Sequence, residues 1–270
     1  MTNFVQVAAF VAEGAFVVAG CVLAWIHVLG PDARLNRNSA RLPAWDATPV
    51  ELLLFLFHAV AGGFLGSATA GFVAKGYGLD GDRVAIIGTA TAHVGLLAGA
   101  AVFIVSSRGR FALGLGAPAA VLRSGLVTFL IALPFAFGTG LLWTLLLQAC
   151  GVPAEKQLAV EMLGRISSPT WMALFLAGAV VTAPISEELL FRAGIFRFLR
   201  TRLPRWAAIL VPAILFSAAH VNLATCVQLT VLGVIFAVSY ERTGSLGTAI
   251  VAHAAFNLNN VLLILAGGLE

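Results

Sequence analysis

Apolar residues along this chain fall into long blocks separated by short polar stretches. Most blocks run for about 18 to 27 residues, the length a helix needs to cross roughly 30 Å of hydrocarbon. The pattern predicts an all-α fold, a polytopic transmembrane helix bundle of about eight spans. These spans are placed at 4–30, 49–74, 84–106, 126–151, 169–191, 206–221, 223–240 and 246–266.

The eight spans are predicted to form a single membrane domain over residues 1–270. Spans one to four occupy residues 1–166, and spans five to eight form a second group over residues 167–270. Thr48-Pro49-Val50-Glu51 is typical of a helix start, with an N-cap, a first-turn proline and a capping-box glutamate, and Ser168-Pro169 repeats the first two features. Glu51 is therefore interpreted as structural.

The composition excludes a water-soluble fold. The chain is 60% hydrophobic and only 10% charged, whereas soluble domains carry about 25% charged residues. Cys21, Cys150 and Cys226 lie in or beside apolar blocks without a CxxC pair, so they are predicted to be buried small hydrophobic residues. The amino terminus lacks the basic start of a cleaved signal peptide, and the first block is expected to be a retained span.

Basic residues are distributed unevenly between the connections. The odd-numbered connections hold eleven Lys or Arg residues and the even-numbered connections hold four. Because basic loops stay on the cytoplasmic side, both termini are predicted to be outside and the 197–205 loop inside. The Arg residues lie between spans and form no face that could follow phosphates, so a nucleic-acid partner is not expected.

Polar groups able to do chemistry are concentrated in the last third of the chain, within or at the ends of predicted spans. They form three motifs: Glu187-Glu188-x-x-Phe191-Arg192, Phe216-x-x-x-His220 and His253-x-x-x-Asn257. Ionisable groups at membrane depth cost about 2.5–3.5 kcal/mol each on insertion scales, so they usually mark function. Taken singly, each also has a structural explanation, as an ion pair or as hydrogen bonding between helices.

Helical spacing suggests how these groups are arranged. Glu188 and Arg192 are four residues apart and can pair across one turn, which leaves Glu187 on a different side of the helix. His253 and Asn257 share a face and can direct hydrogen-bond donors at one point. His27, His58, His93 and Glu13 lack companions at helical spacing and are interpreted as structural.

The three motifs, in this order and spacing, resemble the signature of the CAAX protease and bacteriocin-processing (CPBP) family, which includes the type II CAAX prenyl endopeptidases. The resemblance covers about residues 183–260 and makes residues 167–270 the expected catalytic core. One departure is Ala193-Gly194 after Arg192, where the family commonly has Gly directly after the Arg. That difference changes a packing position and no reacting group.

The resemblance implies an intramembrane endopeptidase. Glu187 would be the general base that activates water, helped by His220, a step that contributes about 10²–10⁴ in rate. His253 and Asn257 would form the oxyanion hole. Glu188 with Arg192 would orient the site, and Phe216 would support it. Ser167, Ser186 and Ser217 have no suitably spaced base in the sequence, which argues against a covalent serine route.

Three other functions stay open at this point. A zinc-dependent mechanism could use Glu188, His220 and His253 as ligands, although HExxH is absent and no cofactor is the favoured expectation. A bacteriocin-immunity-type membrane protein without catalysis is the second alternative. A proton-coupled transporter is the third, but its polar groups should occur in both halves of the chain.

The expected partners are the lipid bilayer and a membrane-associated peptide or protein substrate, possibly a C-terminal sorting tail. Composition rich in Ala, Gly and Arg suggests a bacterial inner-membrane location. The sequence does not distinguish among peptide pheromones, bacteriocin leaders and sorting tails as substrates.

Overall fold

A computed structural model describes residues 2–31, 42, 45–107, 110–153, 155 and 158–267. Within these ranges the chain forms nine helices and no strand. They are α1 (Thr2–Ala24, extended by a π-helical turn Trp25–Leu29), α2 (Pro49–Gly76), α3 (Gly81–Ser106), α4 (Pro118–Ala149), α5 (Leu158–Arg165), α6 (Pro169–Arg200), α7 (Arg205–Ala219), α8 (Cys226–Thr243) and α9 (Leu246–Leu265).

The prediction of a polytopic helical bundle is confirmed, and the chain is an integral membrane protein. Six described helices, α1 to α4, α6 and α9, are long and apolar enough to cross a membrane. The predicted sixth and seventh spans correspond to α7 and α8, which have only 15 and 18 residues. Large apolar side chains such as Phe64 and Phe72 are 71% and 81% exposed, as expected of a surface that faces lipid.

Helix bounds differ from the prediction where local chemistry extends a helix beyond its apolar block. α4 begins at Pro118 instead of residue 126, because a proline in the first turn favours an earlier start. α6 continues past residue 191 to Arg200. The short helix α5 was not predicted, since its eight residues are amphipathic and too few to span a membrane.

The helix starts predicted from sequence are largely observed. At α2, Thr48 Oγ1 accepts from the Glu51 N–H at 3.2 Å, and Glu51 Oε2 accepts from the Thr48 N–H at 2.8 Å, which confirms the capping box. Arg110 adds an ion pair to Glu51 at 2.8 Å. Ser168 occupies the N-cap of α6 before Pro169, but its side chain makes no capping bond.

Helices α2 and α3 form a hairpin in which backbone touches backbone. A Cβ added at Gly62 would strike the Gly95 carbonyl oxygen, and one at Gly99 would strike the His58 carbonyl oxygen. Small residues let transmembrane helices approach this closely. The hairpin packs through α3 along helix α6.

Helix α6 alternates between α-helical and π-helical turns. Residues Ala177–Thr182 and Leu189–Phe196 are π-helical, and these segments flank the α-helical turn Ala183–Glu188. π-Helical turns occur mostly as short insertions and often at functional sites. The irregular region contains the first sequence motif.

Two turns at one end of the bundle are joined by charge. Glu241 in α8 pairs with Arg200 and Arg205, each at 2.6 Å, which brings the α6–α7 and α8–α9 turns together. A helix rises about 1.5 Å per residue. Counted along α9 and α7 from this end, His253 lies roughly 10 Å away and His220 roughly 22 Å away. These groups therefore lie away from this end of the bundle.

The cysteines depart from the prediction. Cys21 and Cys150 are exposed and Cys226 is only partly buried, so the prediction that all three are buried is wrong. A lipid-facing position gives a thiol an apolar environment without burial in protein. Of the basic residues used for the topology prediction, five lie outside the described residues: Arg34, Arg37, Arg41, Arg108 and Lys156.

Candidate active site

A fully buried ion pair forms the base of the candidate site. Arg192 Nη1 donates to Glu188 Oε1 at 2.9 Å, and the two side chains are 1% and 0% exposed. Arg192 Nη2 donates to the Gly233 carbonyl of α8 at 3.2 Å. The pairing expected from the i,i+4 spacing is confirmed, and it ties α6 to α8.

Aromatic rings enclose this ion pair. The Arg192 guanidinium lies over the Phe216 ring at 4.7 Å and over Phe236 at 5.5 Å, an arrangement that stabilises a cation through the ring quadrupole. Phe216, 1% exposed, also contacts the His220 and His253 rings at 4.9 and 5.7 Å between centroids. Phe216 therefore links all three motifs.

His253 joins both carboxylates of the first motif. Its Nδ1 lies 2.9 Å from Glu188 Oε1, and its Nε2 lies 3.7 Å from Glu187 Oε2. Glu187 and Glu188 thus lie at different nitrogens of the same ring. The two nitrogens of an imidazole lie on different edges of the ring. The His253 ring can therefore contact both Glu187 and Glu188, although adjacent side chains leave a helix in different directions.

The two glutamates differ in access. The Glu188 side chain is 0% exposed, whereas that of Glu187 is 17% exposed. Glu188 Oε1 accepts from both Arg192 and His253. Glu187 is therefore the more accessible carboxylate of the pair.

His220 presents one free nitrogen. Its Nδ1 lies 2.9 Å from the Phe216 carbonyl oxygen. A carbonyl only accepts, so Nδ1 carries the proton, and Nε2 of the neutral ring is left as an acceptor. His220 directly follows α7 and is partly exposed.

Asn257 binds the irregular part of α6. Its Nδ2 donates to the Ala179 carbonyl at 2.8 Å. The Ala183 N–H donates to the Gly178 carbonyl, which is the five-residue spacing of a π-helix. In the same spacing the Ala179 carbonyl would accept from the N–H of residue 184. Residue 184 is a proline without an N–H, so the Ala179 carbonyl is left for Asn257. One amide N–H is thus used for helix packing, and the Nδ2 group has a second N–H to donate.

His93 belongs to this cluster, which the sequence interpretation missed. Its Nδ1 lies 2.8 Å from the hydroxyl oxygen of Ser186, the residue that directly precedes Glu187. The interpretation of His93 as isolated considered spacing within one helix, and this contact joins α3 to α6. The available sequence signal was an ionisable residue in the middle of an apolar span.

Ser186 is not arranged as a nucleophile. Its hydroxyl donates to the Ala183 carbonyl at 3.0 Å, and the residue is 2% exposed. An attacking serine needs its proton directed at a base and its oxygen open to substrate.

Two of the groups named for the zinc alternative, Glu188 and His253, are hydrogen-bonded to each other. Over the part of the chain that the structure describes, no three His, Cys, Asp or Glu side chains are arranged to hold a metal ion. The proposed ligand Glu188 already accepts from Arg192 and His253 through Oε1, and His253 Nδ1 is directed at that oxygen. A tetrahedral site needs these lone pairs aimed at one centre.

Comparisons with known proteins find a similarity that covers the C-terminal region. Residues 169–259 match the family model described as type II CAAX prenyl endopeptidase Rce1-like. A protein of Lactococcus lactis subsp. lactis (strain IL1403), "UPF0177 protein YbdI", is 32% identical over 91 residues, which is 33% of this chain and 48% of that protein.

A second relative extends over more of the chain. The Bacillus subtilis (strain 168) protein "Putative membrane peptidase YdiL" is 28% identical over 141 residues, which is 47% of this chain and 58% of that protein. The aligned segments thus span about half the length of these curated relatives. No solved structure matches this chain.

The matched region contains all three motifs whose side chains meet around His253 and Phe216. Residues 169–259 of this chain are thus similar to the Rce1-like type II CAAX prenyl endopeptidases.

Proposed function

We propose that this protein is an intramembrane endopeptidase that hydrolyses a peptide bond of a membrane-associated substrate, with Glu187 as general base. The observation that carries the proposal is the meeting of both glutamates on His253, with only Glu187 accessible. The family match over residues 169–259 and a relative named as a membrane peptidase support the same class of reaction.

In the proposed reaction, Glu187 accepts a proton from a water molecule, and the water oxygen attacks the scissile carbonyl carbon. The carbonyl π-electrons move to oxygen, which forms a tetrahedral oxyanion. When that intermediate collapses, the C–N bond breaks and the proton held by Glu187 passes to the leaving nitrogen. His220 Nε2 is a second acceptor that assists the proton transfer.

His253 and Asn257 are the proposed oxyanion donors. Because Glu188 holds His253 Nδ1–H, the other nitrogen carries a proton only in the imidazolium form. Asn257 would donate its second N–H, since the first is bound to Ala179.

The proposed substrates are membrane-associated peptides or proteins, with a C-terminal sorting tail as one form. The reactive groups lie roughly 10–22 Å from the end of the bundle that holds Arg200 and Arg205. The excess of basic residues would place that end in the cytoplasm. Both relatives come from bacteria, and we propose the bacterial inner membrane as the location.

The test is cleavage of a library of membrane-tail peptides by the purified protein in detergent. Wild type and Glu187→Ala are compared, each with and without a strong chelator. We expect cleavage by wild type that persists with chelator and is lost in the variant.

Three results would contradict the proposal. Cleavage lost with chelator and restored by zinc would favour the metalloenzyme. Equal cleavage by wild type and Glu187→Ala would contradict Glu187 as the general base, and no cleavage by either would favour the non-catalytic immunity-type protein.

A further inference from the structure

A residue outside the family-matched region reaches the candidate site. His93 lies in α3, which packs along the part of α6 that carries the glutamates. The glycine contacts between α2 and α3 fix that helix, because Gly95, two residues after His93, abuts the backbone of Gly62. Close backbone packing between α2 and α3 therefore positions the His93 ring against α6.

Hydrogen bonding determines which His93 nitrogen carries the proton. The single hydroxyl hydrogen of Ser186 is directed at the Ala183 carbonyl at 3.0 Å. The 2.8 Å contact between His93 Nδ1 and Ser186 Oγ must then use a hydrogen from the imidazole. Nδ1 is the protonated nitrogen of the neutral ring, and Nε2 is an acceptor.

Ser186 directly precedes Glu187, and this adjacency links His93 to the proposed base. Ser186 is 2% exposed and bonded on both sides, to His93 and to its own helix. Anchoring this residue restricts rotation of the helical turn that carries Glu187. The 2.8 Å contact with Ser186 Oγ places the His93 ring beside the turn that carries Glu187.

We propose that His93 is a positioning residue of the hydrolytic site. Its Nδ1–H anchors Ser186 and thereby holds Glu187 toward His253 and His220, so that a helix of the N-terminal region completes a site whose motifs all lie in the C-terminal third. The proposal rests on the proposed peptidase function.

The kinetic test removes the hydrogen bond between His93 and Ser186 by replacing one partner or the other. His93→Phe and Ser186→Ala should each lower kcat by about 10- to 100-fold with little change in KM, the scale expected when a reacting group is misplaced. His93→Asn should restore most of kcat, because the Asn amide places an N–H near the position of Nδ1. Full activity in His93→Phe, or no rescue by Asn, would overturn the proposal.

The matched control is His58→Phe. His58 lies on α2 and bonds the Leu54 carbonyl of its own helix at 2.7 Å. Its replacement should leave kcat unchanged. An equal loss of kcat in His58→Phe and His93→Phe would show a general effect on the hairpin and would also overturn the proposal.

A second measurement does not depend on cleavage. In protein labelled with ¹⁵N-histidine, the His93 signals should report the Nδ1–H tautomer and should shift in Ser186→Ala and Glu187→Gln but not in Glu51→Gln. Unchanged signals in the first two variants would overturn the proposal. If wild type cleaves nothing, the peptidase function fails, while these spectra still decide whether His93 is bound to the Ser186–Glu187 segment.

Discussion

The α2–α3 hairpin and helix α6 pack against each other but are stabilised in different ways. The hairpin has regular α-helices and close backbone contacts at Gly62, Gly95 and Gly99. Helix α6 departs twice into π-helical turns and buries the charges of Glu188 and Arg192. We interpret the hairpin as the rigid support of the site. The irregular turns of α6 are interpreted as the feature that positions the polar groups of the site.

Removing Arg192 should have the largest effect on stability. Arg192→Met leaves the Glu188 carboxylate buried without its partner, and we expect the free energy of unfolding to fall by about 3–5 kcal/mol. Thermal and denaturant unfolding in detergent measure this change. The double variant Glu188→Gln/Arg192→Met should recover much of the loss, because no uncompensated charge remains. An unchanged free energy of unfolding for Arg192→Met would contradict the conclusion that α6, unlike the hairpin, depends on a buried ion pair.

Asn257→Ala should affect both rate and stability. Loss of one oxyanion donor should lower kcat by about 10²–10³, and the Ala179 carbonyl left without its donor should cost about 1–3 kcal/mol of stability. Asn259→Ala, on the same helix α9, serves as control and should retain kcat. A variant that loses stability but keeps kcat would limit Asn257 to helix packing.

Gly95→Ala tests the hairpin directly. The new Cβ would lie 2.7 Å from the Gly62 carbonyl carbon, and backbone cannot move aside easily. Overpacking of this kind costs about 1–3 kcal/mol. Gly71→Ala, where no atom lies within 4 Å, should instead gain up to about 1 kcal/mol from helix propensity. Equal melting temperatures for the two variants would contradict the rigid-support interpretation.

Val221→Gly should have the smallest effect, and it should be stabilising. Val221 follows His220 with φ of 47°, a left-handed conformation that a β-branched residue adopts at a cost of about 1–3 kcal/mol. Glycine removes the strain, and part of the gain is offset by its greater freedom in the unfolded chain. Leu223→Gly in the same loop relieves no such strain and should not stabilise. A lower melting temperature for Val221→Gly would contradict this expectation.

The sequence predicted the features that depend on local order. The apolar blocks predicted the helices, Thr48 and Glu51 predicted the start of α2, and the four-residue spacing predicted the Glu188–Arg192 pair. Each is determined within one helix or one turn. Local spacing is a direct consequence of helix geometry.

Features that depend on contacts between helices were not predicted. The His93–Ser186 bond joins residues 93 positions apart. The meeting of both glutamates on His253 depends on how α9 lies against α6. The Ala179 carbonyl is available to Asn257 only because a π-helical turn precedes Pro184. No periodicity within a single segment encodes these arrangements.

The most direct test of the central claim compares two glutamates that have opposite roles in this account. Glu187→Gln and Glu51→Gln make the same chemical change, one in the polar cluster and one in the capping box of α2. Cleavage rates on the best library substrate should fall by at least about 10²-fold in Glu187→Gln, the contribution typical of a general base. Glu51→Gln should cleave at a rate close to that of wild type. Undiminished cleavage by Glu187→Gln would contradict the assignment of the general base.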